Sequence, residues 1–267
     1  MVTQAATDAA ADLLLAVDVG NTNTVFGLWR GEELVESFRL KTDTERTSDE
    51  YGALLLTLLG RRGIAAGAIS GVVIASVVPP LQPTLVRLAR DYFGRRPLFV
   101  EPGVRTGMPI RYDNPAEVGA DRIVNALAAR ELYGAPVVVV DFGTATTFDV
   151  VSPKGEYVGG IIAPGILIAA EALFAHASRL YRVDVQPPEK LVGSNTATAM
   201  QAGIYFGYVG LVDGILERLF AELPGLESVV ATGGQAELIA RGSKYIRQVD
   251  PLLTLIGLRR VHELNRR

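Results

Sequence analysis

The sequence predicts an α/β protein made of two similar lobes, chiefly because it contains an internal repeat. The segment Ala16–Thr24 resembles Val139–Thr147, and in each copy an apolar run leads to Asp-x-Gly and then to small hydroxyl or amide residues. Asp18 and Asp141 are 123 residues apart, and the glycines of the two turns have the same offset. Matched halves of this size are typical of two lobes that share one fold.

The residues after each copy predict antiparallel strands. In the first half, Val25–Trp29 and Leu34–Leu40 are separated by a polar turn. In the second half, Phe148–Val151 and Tyr157–Ile162 are separated in the same way. Short β-rich runs divided by turn residues indicate a strand meander at the start of each half.

Helical patterns follow each meander. Thr47 is a good N-cap for a helix over Tyr51–Leu59, because acidic residues fill the turn between them. Further helices are expected at Leu81–Phe93, Pro115–Tyr133, Ile166–His176 and Ser194–Leu223, and buried strands at Val72–Val78 and Val229–Thr232. We expect a disordered tail over residues 1–12, an N-terminal lobe over 13–130 and a C-terminal lobe over 131–267.

The helix predicted at Ser194–Leu223 contains glycine at positions 203, 207, 210 and 214. Each glycine costs about 1 kcal/mol of helix propensity relative to alanine. Four of them indicate that another surface approaches this helix closely. That surface belongs either to a second copy of the chain or to the same chain.

The composition excludes several function classes. The 267 residues carry 26 Lys+Arg against 29 Asp+Glu, a net charge of −3, whereas a dedicated nucleic-acid binder usually has a basic excess. There is no cysteine, so disulfides and thiolate metal sites are excluded. The two histidines, His176 and His262, are expected to have ordinary packing or surface roles. No consecutive apolar run approaches the roughly 18 residues of a membrane span, and residues 1–12 lack the features of a secretory signal.

Common nucleotide-binding and hydrolase motifs are absent from the sequence. There is no G-x-x-x-x-G-K-[ST], G-x-G-x-x-G, G-x-S-x-G or H-E-x-x-H. The two Asp-x-Gly turns offer a different phosphate site. A glycine lets backbone N–H groups approach a ligand, and an aspartate binds a cation that offsets phosphate charge. A single Asp-x-Gly is weak evidence, because turns use Asp and Gly for local reasons, but its repetition favours phosphate binding over two plain turns.

A second group of residues lies between the halves. Gly119 precedes Asp121 and Arg122, so a ligand can approach the backbone there. A carboxylate accepts a hydroxyl proton during phosphoryl transfer, and an arginine stabilises the charge on the transferred group. Taken alone, a helix start with charged surface residues explains the same pattern. Further on, Ser194 or Thr196 is expected to be the N-cap of the long helix.

Together these segments resemble the type III pantothenate kinases, a branch of the superfamily of acetate kinases, sugar kinases and actin. The resemblance extends from Leu13 to about Asn265, without a substitution in its motifs. Those motifs are Asp18–Val25, Tyr112 with Gly119–Arg122, Asp141–Thr147 and Gly193–Thr196.

The resemblance implies a fold and an activity. The fold is two ribonuclease-H-like lobes, with mixed sheets flanked by helices and ATP held between the two Asp-x-Gly turns. The activity is ATP-dependent phosphorylation of the pantothenate 4′-hydroxyl, the first step of coenzyme A biosynthesis. The resemblance also implies a cytoplasmic homodimer that binds ATP with Mg²⁺ and either K⁺ or NH₄⁺, with no nucleic-acid or membrane partner.

The resemblance further implies the roles of individual residues. Asp121 is the expected general base, and Arg122 is expected to stabilise the transferred phosphoryl group. Asp141 is the expected ligand of the monovalent cation, and Asp18 is expected near Mg²⁺. The expected ATP-binding residues are Asp18, Val19, Gly20, Asn21, Thr22, Asn23, Thr24, Val25 and Thr144, and the expected pantothenate-binding residues are Tyr112, Gly119, Ala120, Asp121, Arg122 and Thr196.

Two alternatives remain at the level of sequence. The first is a kinase of the same fold that acts on another hydroxylated small molecule. The second is a non-catalytic transcription-accessory protein. The presence of Asp18, Asp121, Arg122 and Asp141 argues against the second alternative, because a pure binding protein does not need them all. The negative net charge also argues against direct contact with DNA.

Overall fold

The computed structural model of the protein describes residues 12–177 and 180–266. The tail expected over residues 1–12 lies outside this range except for Asp12. The carboxylate of Asp12 accepts a 2.6 Å hydrogen bond from the Ser70 hydroxyl.

The described residues form two compact units, which are described separately. The first unit contains the residues up to Gly107, Asn114–Val124 and the residues from Thr254 onward. The second unit contains Met108–Asp113 and the described part of Asn125–Leu253. These bounds differ from a single division after residue 130, because the C-terminal segment packs with the first half of the chain.

The first unit contains a mixed five-stranded sheet. Its strands are β1 (Leu13–Val19), β2 (Asn23–Arg30), β3 (Glu33–Lys41), β4 (Ile69–Ser76) and β5 (Leu98–Phe99), in the order β3-β2-β1-β4-β5. The first three strands pair antiparallel, as the meander predicts, and β4 and β5 continue the sheet in parallel with β1.

The second unit repeats the same sheet. Its strands are β6 (Val137–Phe142), β7 (Ala145–Val151), β8 (Tyr157–Pro164), β9 (Ser228–Gly233) and β10 (Gln248–Val249), in the order β8-β7-β6-β9-β10. Here too the first three strands are antiparallel and the last two are parallel to the first. Two mixed sheets with one topology confirm the fold class that the repeat and the resemblance predict.

Seven helices flank these sheets in the described part of the chain. They are α1 (Ser48–Arg61), α2 (Gln82–Phe93), α3 (Ala120–Tyr133), α4 (Ile166–His176), α5 (Thr196–Glu222), α6 (Ala236–Ala240) and α7 (Leu253–Asn265). The predicted N-cap of α1 is confirmed, since the Thr47 hydroxyl accepts from the Glu50 N–H at 3.2 Å and the Glu50 carboxylate accepts from the Thr47 N–H at 2.8 Å. The helix predicted from Pro115 begins only at Ala120, because Pro115–Glu117 form a separate 3₁₀ turn.

Alternation along β1 explains how the first sheet packs. Leu13, Leu15, Val17 and Val19 enter the core that also contains α1 and α2. The opposite face is covered by α7. A Cβ at Gly27 of β2 would lie only 2.8 Å from a methyl of Leu255, so the helix approaches the sheet where side chains are missing. This packing was not predicted, because nothing local in the sequence ties residues 253–265 to the first strands.

The strand registers refine the internal repeat. Val19 is paired with Thr24 across the first turn, whereas Phe142 is paired with Thr146 across the second. The first turn is therefore one residue longer than the second. The offset of 123 residues between the two copies holds only as far as the glycine of each turn. Thr24 and Thr146 are structural equivalents, and both are fully buried.

Helix α5 has one buried face and one exposed apolar face. Tyr205, Tyr208 and Val212 lie in the core of the second unit. By contrast, a Cβ at glycines 203, 207 and 210 would meet no described atom within 4 Å, so close packing inside the unit does not explain them. By length and composition α5 also qualifies as a membrane span, the one such helix in the described residues, although core helices of soluble proteins pass the same test.

Candidate active site

The turn that contains Asp18 joins β1 to β2 and is closed by backbone hydrogen bonds. The Gly20 N–H donates to the Asn23 carbonyl at 3.0 Å. The Thr42 hydroxyl donates to the Gly20 carbonyl at 2.7 Å and lies 2.9 Å from the buried Thr24 hydroxyl. Asp18 itself is half-buried at the end of its strand. The turn therefore exposes Asn21–Asn23 on a backbone that hydrogen bonds hold in place, next to the Asp18 carboxylate.

Gly119 and Asp121 open α3 in the first unit. A Cβ at Gly119 would lie 2.5 Å from Asp121 Oδ1, so the glycine is needed for the carboxylate to occupy its position. That Cβ would also lie 3.7 Å from a methyl of Val77, whose N–H donates to the Val19 carbonyl at 3.0 Å. Through Val77 the structure brings the predicted base close to the Asp18 turn.

Burial raises the pKa of the Asp121 carboxyl above its usual value. The Arg122 N–H, which donates to Asp121 Oδ1 at 2.8 Å, and the positive charge of Arg122 act in the opposite direction. Desolvation is the larger effect, and it makes Asp121 a stronger base than an exposed aspartate. Arg122 is itself only 8% exposed, which places a guanidinium beside this base away from bulk water.

Asp141 occupies the equivalent position in the second unit, at the end of β6. Its Oδ2 accepts a 3.0 Å hydrogen bond from Nδ2 of Asn125 in α3. A Cβ at Gly233, which has φ +90°, would lie 2.5 Å from Asp141 Oδ1. The glycine at the end of β9 therefore leaves room for the Asp141 carboxylate.

Asn125 was not predicted as a site residue. It is fully buried, and its Oδ1 has no hydrogen-bond partner among the residues that the structure describes. An unsatisfied buried carbonyl costs about 1–3 kcal/mol, and an ordered water or a bound ion beside Asp141 would offset that cost. Its spacing of four residues from Asp121 in one helix was the only signal available in the sequence.

Thr144 lies in the turn between β6 and β7, which is supported by Gly165. The Gly165 N–H donates to the Thr144 carbonyl at 3.1 Å. A Cβ at Gly165 would overlap the Thr144 and Gly143 carbonyls, so only glycine allows the end of β8 to come this close. Thr144 itself is exposed.

Tyr112 lies in the second unit, in the short segment that runs beside β8. Its half-buried ring packs above Gly159, where an added Cβ would lie 3.5 Å from the ring. Its centroid is 6.4 Å from that of the Tyr157 ring. Tyr112 and Gly119–Arg122 belong to different units, so each is described in its own surroundings.

Thr196 is the exposed first residue of α5, but the N-cap prediction was wrong. The N-cap is Asn195, whose side chain accepts from the Thr198 N–H at 2.9 Å. Asn195 was overlooked because Ser194 and Thr196 are equally good capping types. A Cβ at Gly193 would overlap the backbone of Ala199, which explains the glycine two residues before the cap.

Three kinds of comparison identify relatives of the chain. The model of the type III pantothenate kinase family matches residues 14–218. A type III pantothenate kinase from Myxococcus xanthus (strain DK1622) is 58% identical over 253 residues, covering 95% of this chain and 99% of its own. One from Koribacter versatilis (strain Ellin345) is 55% identical over 263 residues, covering 95% of this chain and 96% of its own.

Solved structures show the same fold at low sequence identity. A protein named as a 2-dehydro-3-deoxygalactonokinase from Sinorhizobium meliloti has a TM-score of 0.60 at 12% identity, covering 94% of this chain and 96% of that chain. A protein named as a Baf family transcriptional activator from Campylobacter jejuni has a TM-score of 0.59 at 21% identity, covering 94% of this chain and 98% of that chain. At these identities the likeness concerns the fold alone.

The repeated mixed sheets, with an Asp-x-Gly turn at the end of each first strand, define the class as the fold of the actin-like ATPases and sugar kinases. Within that class the family model and the relatives agree over almost the whole chain. The chain belongs to the type III pantothenate kinase family and is accordingly a kinase.

Proposed function

We propose that the protein transfers the γ-phosphate of ATP to the 4′-hydroxyl of pantothenate, as a cytoplasmic homodimer that depends on a divalent and a monovalent cation. The observation that carries the chemistry is the half-buried Asp121 carboxylate, whose pKa is raised by desolvation, next to the buried Arg122 guanidinium. The acceptor is proposed from the relatives, which are named for pantothenate.

The proposed reaction uses Asp121 as the general base. The pantothenate hydroxyl gives its proton to the Asp121 carboxylate as its oxygen forms a bond to the γ-phosphorus. The bond between that phosphorus and the β–γ bridging oxygen breaks, and ADP leaves. The Arg122 guanidinium stabilises the negative charge on the transferred phosphoryl group. Tyr112, Gly119, Ala120 and Thr196 are proposed to hold the acceptor.

The Asp18 turn is proposed to bind the phosphates of ATP. The exposed Asn21–Asn23 and the turn backbone offer N–H and side-chain donors, and hydrogen bonds of Thr24 and Thr42 hold this turn in place. A Mg²⁺ ion bound with ATP offsets phosphate charge, and the nearby Asp18 carboxylate provides the oxygen ligands that this cation prefers. Thr144 is proposed as a further nucleotide contact, supported by its exposure on a rigid turn.

The donor set around Asp141 fits a monovalent cation. No group of three or more His, Cys, Asp or Glu side chains that could hold a metal occurs in the described ranges, which argues against a cage of several carboxylates. One carboxylate and the partnerless carbonyl oxygen of buried Asn125 are instead oxygen donors with a single negative charge between them. Carbonyl oxygens replace the hydration shell of K⁺ in other proteins. We therefore place K⁺ or NH₄⁺ beside Asp141 and Asn125.

The exposed apolar face of the second unit supports the proposed homodimer. Leu167 and Ile168 of α4 are 54% and 47% exposed, and Phe206 and Leu211 of α5 are 39% and 36% exposed. On the same helix, an added Cβ at glycines 203, 207 and 210 would meet nothing within 4 Å in the described part of the chain. A second copy that packs on this face would cover the apolar side chains and would account for the glycines.

An acceptor screen tests the proposed function. ADP release is measured with Mg-ATP and KCl in the presence of pantothenate, other hydroxylated acids, or sugars. We expect release that depends on pantothenate. Release with a different acceptor alone would favour another kinase of this fold. If folded protein binds ATP but releases ADP with none of them, the transcription-accessory alternative gains support, in line with the name of the Campylobacter jejuni structure.

A further inference from the structure

The segment that carries Tyr112 is held in place by the backbone of one residue, Tyr157 at the start of β8. The Arg111 N–H donates to the Tyr157 carbonyl at 2.7 Å, and the Tyr157 N–H donates to the Pro109 carbonyl at 2.9 Å. Ile110 and Tyr157 form a parallel bridge. Both backbone polar groups of Tyr157 are therefore used to attach the segment to the sheet.

The side chain of Tyr157 is in turn fixed by a buried carboxylate. Tyr157 and Asp149 are both fully buried. The Tyr157 hydroxyl donates to Asp149 Oδ1 at 2.9 Å, and the Thr147 hydroxyl donates to Asp149 Oδ2 at 2.9 Å. A buried carboxylate is costly unless its oxygens accept hydrogen bonds, so both donors favour one arrangement of this cluster.

The ring of Tyr112 rests on the same structure. It lies beside the Tyr157 ring, with an angle of 50° between the planes. Beneath it is Gly159, which has φ +122° and leaves 3.5 Å between an added Cβ and the ring. One part of the ring is thus packed against the sheet, while the half-buried side chain keeps an accessible part for a ligand.

We propose that Tyr157 and Asp149 are positioning residues that set the place of Tyr112 in the pantothenate site. The inference rests on the proposed function, because it takes pantothenate as the molecule that Tyr112 contacts. The carboxylate fixes the Tyr157 side chain, the Tyr157 backbone fixes residues 109–111, and the next residue is Tyr112. Tyr157 and Asp149 are fully buried and connect to the segment of Tyr112, so their loss should change acceptor binding more than ATP binding.

Steady-state kinetics of Tyr157→Phe test this inference. We expect the KM for pantothenate to rise roughly fivefold, because misplacement of a binding group by a fraction of an ångström already weakens productive binding. The KM for ATP should change less than about twofold. Tyr133→Phe is the matched control, since it removes another tyrosine–aspartate hydrogen bond of the second unit, from Tyr133 to Asp250 at 3.1 Å. This control should leave the KM for pantothenate unchanged.

A double variant separates positioning from general destabilisation. In a Tyr112→Ala background the ring to be positioned is gone, so adding Tyr157→Phe should leave the KM for pantothenate unchanged. Should Tyr157→Phe fail to fold, Asp149→Asn provides the same test, because it removes the charge of the carboxylate that accepts from the Tyr157 hydroxyl. Melting temperatures of all variants report whether the fold survives.

The outcomes distinguish this inference from the proposed function. Wild-type protein without any pantothenate-dependent turnover would overturn both. Normal wild-type turnover, with an unchanged KM for pantothenate in folded Tyr157→Phe or in folded Asp149→Asn, would overturn this inference alone. A rise in KM of equal size with and without the Tyr112 ring would also overturn it.

Discussion

At the scale of residues, the account depends on what burial does to a carboxylate. The pKa of Asp121 is raised because its charged form loses solvation. Neither the Arg122 N–H nor the Arg122 charge fully compensates for that loss. The same shift that improves the base also costs stability when the group is ionised. Function and stability therefore oppose each other at this position.

This opposition predicts the stability of Asp121→Asn. Since the folded-state pKa of Asp121 is raised, the fold favours the protonated acid. That contribution is complete below the unfolded pKa of about 3.9 and is lost as the pH rises through the folded pKa. At neutral pH the wild-type protein holds a costly charge that asparagine lacks. We expect Asp121→Asn to melt at a higher temperature than wild type near neutrality, with the difference shrinking in acid, as measured by calorimetry across pH. A variant that is less stable at neutral pH would contradict the assigned cause.

The cation site gives a second prediction at this scale. Asp141→Asn removes the charged ligand, so the K⁺ concentration for half-maximal activity should rise by about 10–100-fold, the range seen when groups around a metal are altered. Thermal stabilisation by KCl relative to NaCl should weaken in parallel, which gives a readout independent of activity. Asp250→Asn, which alters a carboxylate that accepts from Tyr133, is the control. Equal stabilisation by KCl in Asp141→Asn and wild type would remove K⁺ from this position.

At the scale of elements, the glycines before and at the end of β9 are needed for different reasons. Gly233 at the end of β9 combines φ +90° with a close approach to Asp141, whereas Gly225 has φ +79° and open space. A comparison of substitutions at the two positions therefore separates the effect of backbone strain from the effect of lost room for the Asp141 carboxylate.

The pair predicts different results for two alanine variants. Gly225→Ala should lower the free energy of unfolding by about 1–3 kcal/mol, the cost of a left-handed residue with a side chain, and should leave the K⁺ requirement unchanged. Gly233→Ala should also raise the K⁺ requirement, because its methyl group displaces the Asp141 carboxylate. Urea unfolding and K⁺ titration of activity measure the two effects. The same K⁺ requirement in both variants would contradict the role given to Gly233.

Local patterns in the sequence predicted most elements. The Thr47 cap of α1 and the three-stranded meanders depend on neighbouring residues, and they are confirmed. The two-residue strands β5 and β10 are too short to produce a pattern, and α7 is placed by contacts with strands more than 200 residues earlier in the chain. Such elements depend on long-range packing, which periodicity does not reveal.

The same distinction between local patterns and long-range packing applies to the residues of the site. Asp18, Asp121 and Asp141 were found because they belong to motifs. Asn125 and Asp149 were not, since their importance follows from burial and from their hydrogen bonds with residues of other elements. Identifying such partners requires knowledge of which helix covers which strand.

At the scale of the whole molecule, the exposed apolar face of α4 and α5 predicts self-association. Leu211→Glu places a charge on that face and should shift the protein to a monomer, as measured by sedimentation. Leu132→Glu changes another exposed leucine, 51% exposed at the end of α3, and should leave the dimer intact. Dissociation of both variants, or of neither, would contradict the proposed interface.

The central claim is that this chain phosphorylates pantothenate with Asp121 as the base. Mass spectrometry of the reaction product tests it most directly, with wild type and Asp121→Asn compared under Mg-ATP, pantothenate and KCl. The account predicts one added phosphoryl group on pantothenate with wild type, and a rate at least about 100-fold lower with Asp121→Asn, as expected for loss of a general base. Unmodified pantothenate with folded wild-type protein, or equal product formation by both proteins, would contradict it.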